Sequence, residues 1–403
     1  MKTNKHQRKP NLLHEDVALP AAVIYQSRIT NNLHWMQEFA NERDILLAPH
    51  GKTTMTAALF QQQLAAGAWG MTIATPQQAR VAAEAGAERV LMANQLVGRQ
   101  NFALIESLLV DFPNLDFYCL VDSAAGVRQL GSFFCDRKEQ ARAPKLLLEI
   151  GVPGGRTGCR NYQQVRTVCE MLQLFPALEL AGLETYEGLI HGEDAELRVR
   201  AHLTMVRALC LDLLHDDCFS TDTVLLSGAG SAWYDVVAEI FNDHNEARVK
   251  TLIRPGCYLI HDRGIYQSAQ TEVMQRLHRT CRPAGDLQSS LEVWAYVQSR
   301  PEPEMAILTA GKRDAAFDAG LPQPTLHFRP NSDPLPTQAP DNWQVTAIMD
   351  QHAMLKISAD CDLEVGDIVA LSTSHPCLTF DKWRTVLLVD DQYNVLEAMD
   401  TYF

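Results

Sequence analysis

Five short stretches of this chain carry residue types and spacings that suit covalent and anion-binding chemistry. Pro49-His50-Gly51-Lys52-Thr53 sets an imidazole and an amine two residues apart. A lysine in a desolvated or charge-tuned setting becomes a nucleophile toward carbonyl groups. GVPGGRTGC, residues 151–159, places Arg156 among four glycines. Tyr186 and Glu187 stand in TYEG, with His191 following. Ser227-Gly228-Ala229-Gly230-Ser231 leads into the helical pattern AWYDVVAEIF. Such a glycine turn at a helix start offers backbone N–H groups and the positive dipole end to a phosphate. The fifth stretch, PGCY, holds Gly256 and Tyr258. Taken singly these are ordinary features: a surface lysine, a salt-bridge arginine, a tight turn with Ser231 as helix cap. Taken together, an amine, an anion cradle and an arginine suggest an enzyme with a phosphorylated carbonyl cofactor.

A further pair lies near the C-terminus. His375 and Cys377 are two residues apart, and on an extended segment both side chains would face the same way. Imidazole and thiolate together suit a zinc-like ion, in an open site completed by water or substrate, although on their spacing alone a satisfied histidine and a buried thiol is the stronger reading. Asp350-Gln351-His352 reads as a turn between strands.

These stretches need elements to position them. Eight apolar runs fit strands: 45–48, 71–75, 89–94, 115–121, 145–151, 178–184, 223–228 and 250–256. Helical patterns separate them. One is TAALFQQQLAAGA with Gly67 as its stop, and another is PQQARVAAEAG, opened by Pro76 and closed by Gly86. Eight alternations are the number that closes a TIM-type barrel, with an open doubly wound sheet as the alternative. All five stretches then follow the C-terminal ends of strands, where barrels keep their chemistry. Asn94, Gln95 and Asp122 fall on the same rim.

After residue 268 the helical periodicity fades. Strand-like runs at 291–299, 305–311, 343–350, 367–373 and 385–390 are separated by Pro, Gly and Asp clusters. PNSDPLPTQAPDN reads as a proline-rich surface loop. The expectation is therefore an α/β chain: a (β/α)8 barrel over 30–267 and a mostly antiparallel β domain over 268–403 that carries the His-Cys pair. Residues 1–29, including LPAAVIYQ, are expected to pack with the β domain.

Composition narrows the function classes. The 403 residues are 46% hydrophobic and 21% charged, with a formal net charge of −14. That acidity disfavours nucleic-acid binding, which relies on clustered Lys and Arg. No apolar run reaches the roughly 18 residues of a membrane span. The basic start MKTNKHQRKP lacks the apolar segment of a secretory signal and reads as a solvated tail. The ten cysteines, from Cys119 to Cys377 and including Cys281, show neither a disulfide framework nor paired zinc spacing. They fit a reducing cytoplasm.

LPAAVIYQSRITNNLHWM, LLAPHGKTTM and GMTIATPQQARVAAEAGAERVLMANQLVG resemble the D-serine dehydratase and D-threonine aldolase family. The likeness extends from about residue 19 to the C-terminus, and its P-H-x-K-T block is highly specific. It implies an alanine-racemase-type fold and pyridoxal 5′-phosphate (PLP) as cofactor. By that resemblance Lys52 carries PLP and acts as base, and His50, Arg156 and Tyr186 border the ring. Tyr186 is also a catalytic candidate. Ser227, Gly228, Gly230, Ser231, Gly256 and Tyr258 match the phosphate-binding loops. His375 and Cys377 match the metal pair of the dehydratase branch, where the aldolase branch carries His-x-Asp. GVPGGRTGC is a variant of the family's G-x-x-R-x-G pattern.

The resemblance implies elimination from a D-β-hydroxy amino acid such as D-serine or D-threonine, giving a 2-keto acid and ammonia. The metal is expected to be zinc, with manganese or magnesium as alternatives. Retro-aldol cleavage is the alternative within the family, and racemisation is a third reading that would need a second base, Tyr186 or Tyr258. A PLP-binding regulatory protein is the non-enzymatic reading. The expected partners are a small D-amino acid and a second copy in a homodimer, with neither nucleic acid nor membrane.

Overall fold

The computed structural model describes residues 8–135, 142–277 and 283–403. The basic segment up to residue 7 and Cys281 lie outside the described residues. The chain forms two compact units. One comprises the described residues of Met36–Gly256 and Glu272–Pro283, and the other those of Met1–Trp35, Cys257–Thr271 and Ala284–Phe403.

Eight parallel strands build the first unit: Leu46–Leu47, Met71–Ile73, Arg89–Gln95, Asp116–Val121, Lys145–Ile150, Glu179–Thr185, Val224–Gly228 and Val249–Ile253. From the second onward each pairs with the next, and the eighth pairs with the first. Trp69 N–H bonds Leu47 O and Thr72 N–H bonds Pro49 O, both at 2.8 Å, and a His50–Thr72 bridge adds to them. These contacts join the first strand to the second and close a TIM-type barrel. The strands are apolar along both faces because the barrel fills its own interior and helices cover the outside. Ala48, Leu91, Tyr118, Leu120, Leu147, Ala181, Leu225 and Leu252 fill the interior. Outside, Ala79, Ala82 and Ala83 of helix Pro76–Glu84 are buried, as are Val165, Val168 and Leu172 of helix Tyr162–Leu172. Thr75 caps Pro76–Glu84 by accepting from Gln78 N–H, and Gly86 ends that region at φ +98°.

The second unit is a ten-stranded sheet. Its main path runs Thr337–Gln338, Gln323–Phe328, Ile368–Ser372, Leu291–Glu302, Ala21–Tyr25, Thr385–Val389 and Val395–Asp400. Met305–Leu308, Ala353–Lys356 and Gln344–Ile348 extend from the long strand Leu291–Glu302. Pairing is antiparallel except between Ala21–Tyr25 and Thr385–Val389. Every residue of Ala21–Tyr25 is buried, as a central strand requires.

Three local expectations need correction. Helical structure continues through Ile265–Leu277, past the change in sequence pattern at 268, with Val273 and Leu277 buried at i, i+4 spacing. A short strand, Thr337–Gln338, forms inside the proline-rich loop by pairing with Leu326 and His327. The segment around Cys377 is not extended. Pro376 adopts helical angles and a short helix, Cys377–Phe380, starts there, so the alternation argument for His375 and Cys377 does not apply. Among the described residues no helix is long and apolar enough to cross a membrane.

Candidate active site

Lys52 sits in a single helical turn, Gly51–Thr53, just beyond the first barrel strand. Gly51 is required by space. A Cβ there would lie 2.6 Å from the Phe60 ring, which packs beneath the turn. Lys52 itself is exposed, while Gly51 and Thr53 are buried. Gly256, beyond the eighth strand, comes so close that its Cβ would meet His50 O at 2.6 Å and Thr53 Oγ1 at 2.8 Å. The lysine turn and the turn after strand eight are thus packed backbone to backbone.

His50 is half-buried, but its Nδ1 is enclosed and has no hydrogen-bond partner. Burial first, then the positive charges of Lys52, Arg254 and Arg156, holds the imidazole well below its usual pKa. The ring is therefore neutral near pH 7, and those three cations converge on it. Arg156 also lies over the Tyr186 ring, 4.4 Å from its centroid. Tyr186 is walled by glycines, since a Cβ on Gly188 or Gly230 would stand 2.6 or 2.9 Å from it.

The glycine loop after strand seven is tied to the barrel by a buried carboxylate. Ala229 and Gly230 N–H groups donate to Glu187 at 3.1 and 3.3 Å. Burial raises the Glu187 pKa, and the backbone donors oppose that. Two of the loop's N–H groups thus already serve an anion of the chain itself. The following helix begins at Tyr234 with Trp233 at its cap position, so Ser231 is not the cap. Ser227 is fully buried and accepts from Arg254 Nε at 2.9 Å. Arg254 also donates to Glu184 and, at 3.1 Å, to Thr185 O. Burial pushes the Glu184 pKa up to about 7 against the lowering effect of Arg254. Across the same rim Glu149 accepts from Gln95 and from Thr157 at 2.7 Å.

In the β-rich unit His375 and Cys377 follow strand Ile368–Ser372. His375 Nδ1 bonds Asp318 Oδ2 at 2.7 Å. A hydrogen bond with Cys377 and then the Asp318 bond raise the imidazole pKa to about 9. A carboxylate on one ring nitrogen orients the imidazole for an ion at the other. Cys257 Sγ lies 3.4 Å from Cys377 Sγ. Nearby Asp262 accepts from the N–H groups of Gly264, Tyr266 and Gln267. Its other oxygen is buried without a partner, and burial pushes its pKa up to about 6. Among the described residues no three His, Cys, Asp or Glu side chains form a ready metal cage.

The barrel unit brings together His50, Lys52, Arg156, Tyr186, Ser227, Gly228, Gly230 and Gly256. Ser231 lies in the turn that leaves the glycine loop. Tyr258 is buried in the other unit, which also holds His375 and Cys377. Asp350-Gln351-His352 is the turn between strands Gln344–Ile348 and Ala353–Lys356, as expected. Sequence reasoning missed Arg254, Glu184, Asp262 and Asp318. Charged residues ending an apolar strand, as in TLIRPG and LAGLET, were the available signal for the first two. Nothing local marks Asp318, which is 57 residues from the histidine it meets.

The barrel residues fit a PLP-sized anion: three cations, an enclosed ring nitrogen without a partner, and glycine walls where a Cβ would intrude. His375 and Cys377 fit one open end of an ion's coordination shell.

The serine dehydratase domain model, D-ser_dehydrat, matches residues 290–389. A D-threonine aldolase of Arthrobacter sp. is 25% identical over 93% of this chain and 90% of its own length. Over most of its length the chain is similar to members of the D-serine dehydratase and D-threonine aldolase family. It is an enzyme of that family's PLP-dependent lyase kind, so the regulatory-protein reading falls. A D-threo-3-hydroxyaspartate dehydratase of Delftia sp. strain HT23 is 31% identical over 34% of this chain and 35% of its own. Solved forms of that dehydratase replace a histidine and, two residues on, a cysteine, the cysteine variant being metal-free. The D-threonine aldolase structure from Filomicrobium marinum superposes with a TM-score of 0.78, at 22% identity, over 98% of this chain and 97% of its own.

Proposed function

We propose that this chain is a metal-assisted dehydratase of D-β-hydroxy amino acids such as D-serine, D-threonine or a 3-hydroxyaspartate, releasing a 2-keto acid and ammonia. The observation that carries the reading is the Cys377 thiol hydrogen-bonded to His375, a soft ligand pair held in place by Asp318. The same His-x-Cys spacing is replaced in the solved variants of the Delftia dehydratase.

In this reading Lys52, Arg156, Tyr186 and the turns at 227–231 and 256–258 hold PLP, and His375 and Cys377 hold the ion. PLP supplies an electron sink that makes the substrate Cα–H acidic. The ion supplies Lewis acidity toward the hydroxyl that leaves. Lys52 Nζ removes the Cα proton from the D face. His50, kept neutral by burial and its cationic neighbours, does not compete as a charged group. Tyr186, fixed between Arg156 and two glycines, borders the ring and is the second proton-handling group. In this reading the enzyme works as a homodimer.

Aldol cleavage is the second reading, favoured by the near full-length match to the Arthrobacter aldolase. D-Threonine separates the two. Elimination gives 2-oxobutanoate and ammonia, which a chelator should abolish. Glycine and acetaldehyde as main products would make this chain an aldolase.

A further inference from the structure

Ten cysteines are spread over the chain, yet two of those described approach each other well outside any secondary-structure pairing. Cys257 Sγ and Cys377 Sγ are 3.4 Å apart although 120 residues separate them. Cys257 is buried and Cys377 is partly exposed, and both are thiols. The sulfurs of a disulfide are about 2.05 Å apart. The remaining approach is on the order of 1.4 Å, within the reach of small side-chain rotations.

We propose that Cys257 and Cys377 form a reversible disulfide, a modification site that competes with the metal ion for the Cys377 sulfur. The competition half rests on the metal reading above, whereas the crosslink itself does not. The oxidant is a low-molecular-weight disulfide. The Cys377 thiolate attacks one of its sulfurs, its S–S bond breaks and one thiolate leaves. The Cys257 thiolate then attacks the Cys377 sulfur of the mixed disulfide, and the second thiolate leaves. The two protein thiols lose two protons and two electrons, and the oxidant becomes two thiols. Position assigns the roles: the accessible sulfur meets the oxidant and the buried one resolves the adduct. A disulfide sulfur carries no anionic charge, so Cys377 ceases to be a thiolate ligand.

A second cysteine pair provides an internal comparison. Cys169 and Cys218 also share a hydrogen bond, but burial holds the Cys169 thiol up at about 12.

The test treats the full-length, chelator-stripped protein with oxidised glutathione, followed by peptide mass mapping without reductant. The expected product is a Cys257–Cys377 link, with the mass of two hydrogens lost, undone by dithiothreitol. Cys257→Ser should stop at a glutathione adduct on Cys377, and Cys377→Ser should yield neither link nor adduct at that site. Saturating Zn2+ should slow the link about tenfold or more, because a metal-bound thiolate is a poor attacker. Crosslinked protein should lose Zn2+ to a chromophoric chelator that the reduced protein resists. Absence of the link, or Cys169–Cys218 as the main product, overturns the modification. An equal rate with and without Zn2+ overturns the competition. Mass mapping needs no turnover, so a chain that crosslinks but shows no lyase activity would refute the proposed function and leave the modification standing.

Discussion

Glu184→Gln should change the pH dependence of stability more than its value at any single pH. Glu184 is 1% exposed, bonded to Arg254 through one oxygen, with the other oxygen unpartnered. Burial raises its pKa from an ordinary 4.5 to about 7. A carboxyl whose folded pKa is raised binds more protons folded than unfolded. Its contribution is therefore complete below about pH 4.5 and lost as pH rises through about 7. At about 1.4 kcal/mol per pH unit, that gap corresponds to on the order of 3 kcal/mol. His50 works in the opposite sense. Its depressed pKa makes stability rise with pH until about 6.5, its unfolded value, so the wild-type profile is a sum of both. The difference between wild type and Glu184→Gln isolates the carboxyl. Gln keeps an oxygen to accept from Arg254, but its NH2 faces a place without an acceptor, a fixed cost of about 1–3 kcal/mol. Urea unfolding midpoints at about pH 5 and about pH 8, with m unchanged, read the comparison. Relative to wild type, the Gln variant should gain about 3 kcal/mol between the lower and the higher pH. Parallel profiles would refute the placement of Glu184 as a buried carboxyl with a raised pKa.

Other consequences can be measured directly. Lys52→Ala should lose the adduct that borohydride fixes between PLP and wild-type protein, and fixation on another lysine would displace Lys52 from its role. Asp318→Asn should weaken Zn2+ binding about 10–100-fold by removing the carboxylate behind His375, read by chelator competition, and unchanged affinity would rule out that support. Gly256→Ala should weaken PLP binding, since its Cβ would stand 2.6 Å from His50 O, and equilibrium dialysis against PLP checks this. Sedimentation should find a homodimer, and an active monomer at assay concentration would count against it.

The amino-acid sequence by itself carried the architecture of the barrel. Strands buried on both faces must be apolar, and amphipathic helices must alternate with them. Even Gly67 and Gly86 marked helix ends, because each adopts a positive φ that other residues rarely take. Loop residues after those strands were legible for the same reason: in PHGKT and SGAGS, polar and glycine residues interrupt apolar runs. The tertiary structure decided which charges meet. Arg254 reaches Glu184 and Ser227, and Glu187 reaches the N–H groups of Ala229 and Gly230, across strands with no shared local pattern. His375 finds Asp318, and Cys377 finds Cys257, across 57 and 120 residues. Hydrophobic periodicity is a property of each element and is written locally. A hydrogen bond or a pKa shift depends on distances of a few ångströms between elements, and those exist only after packing has set them.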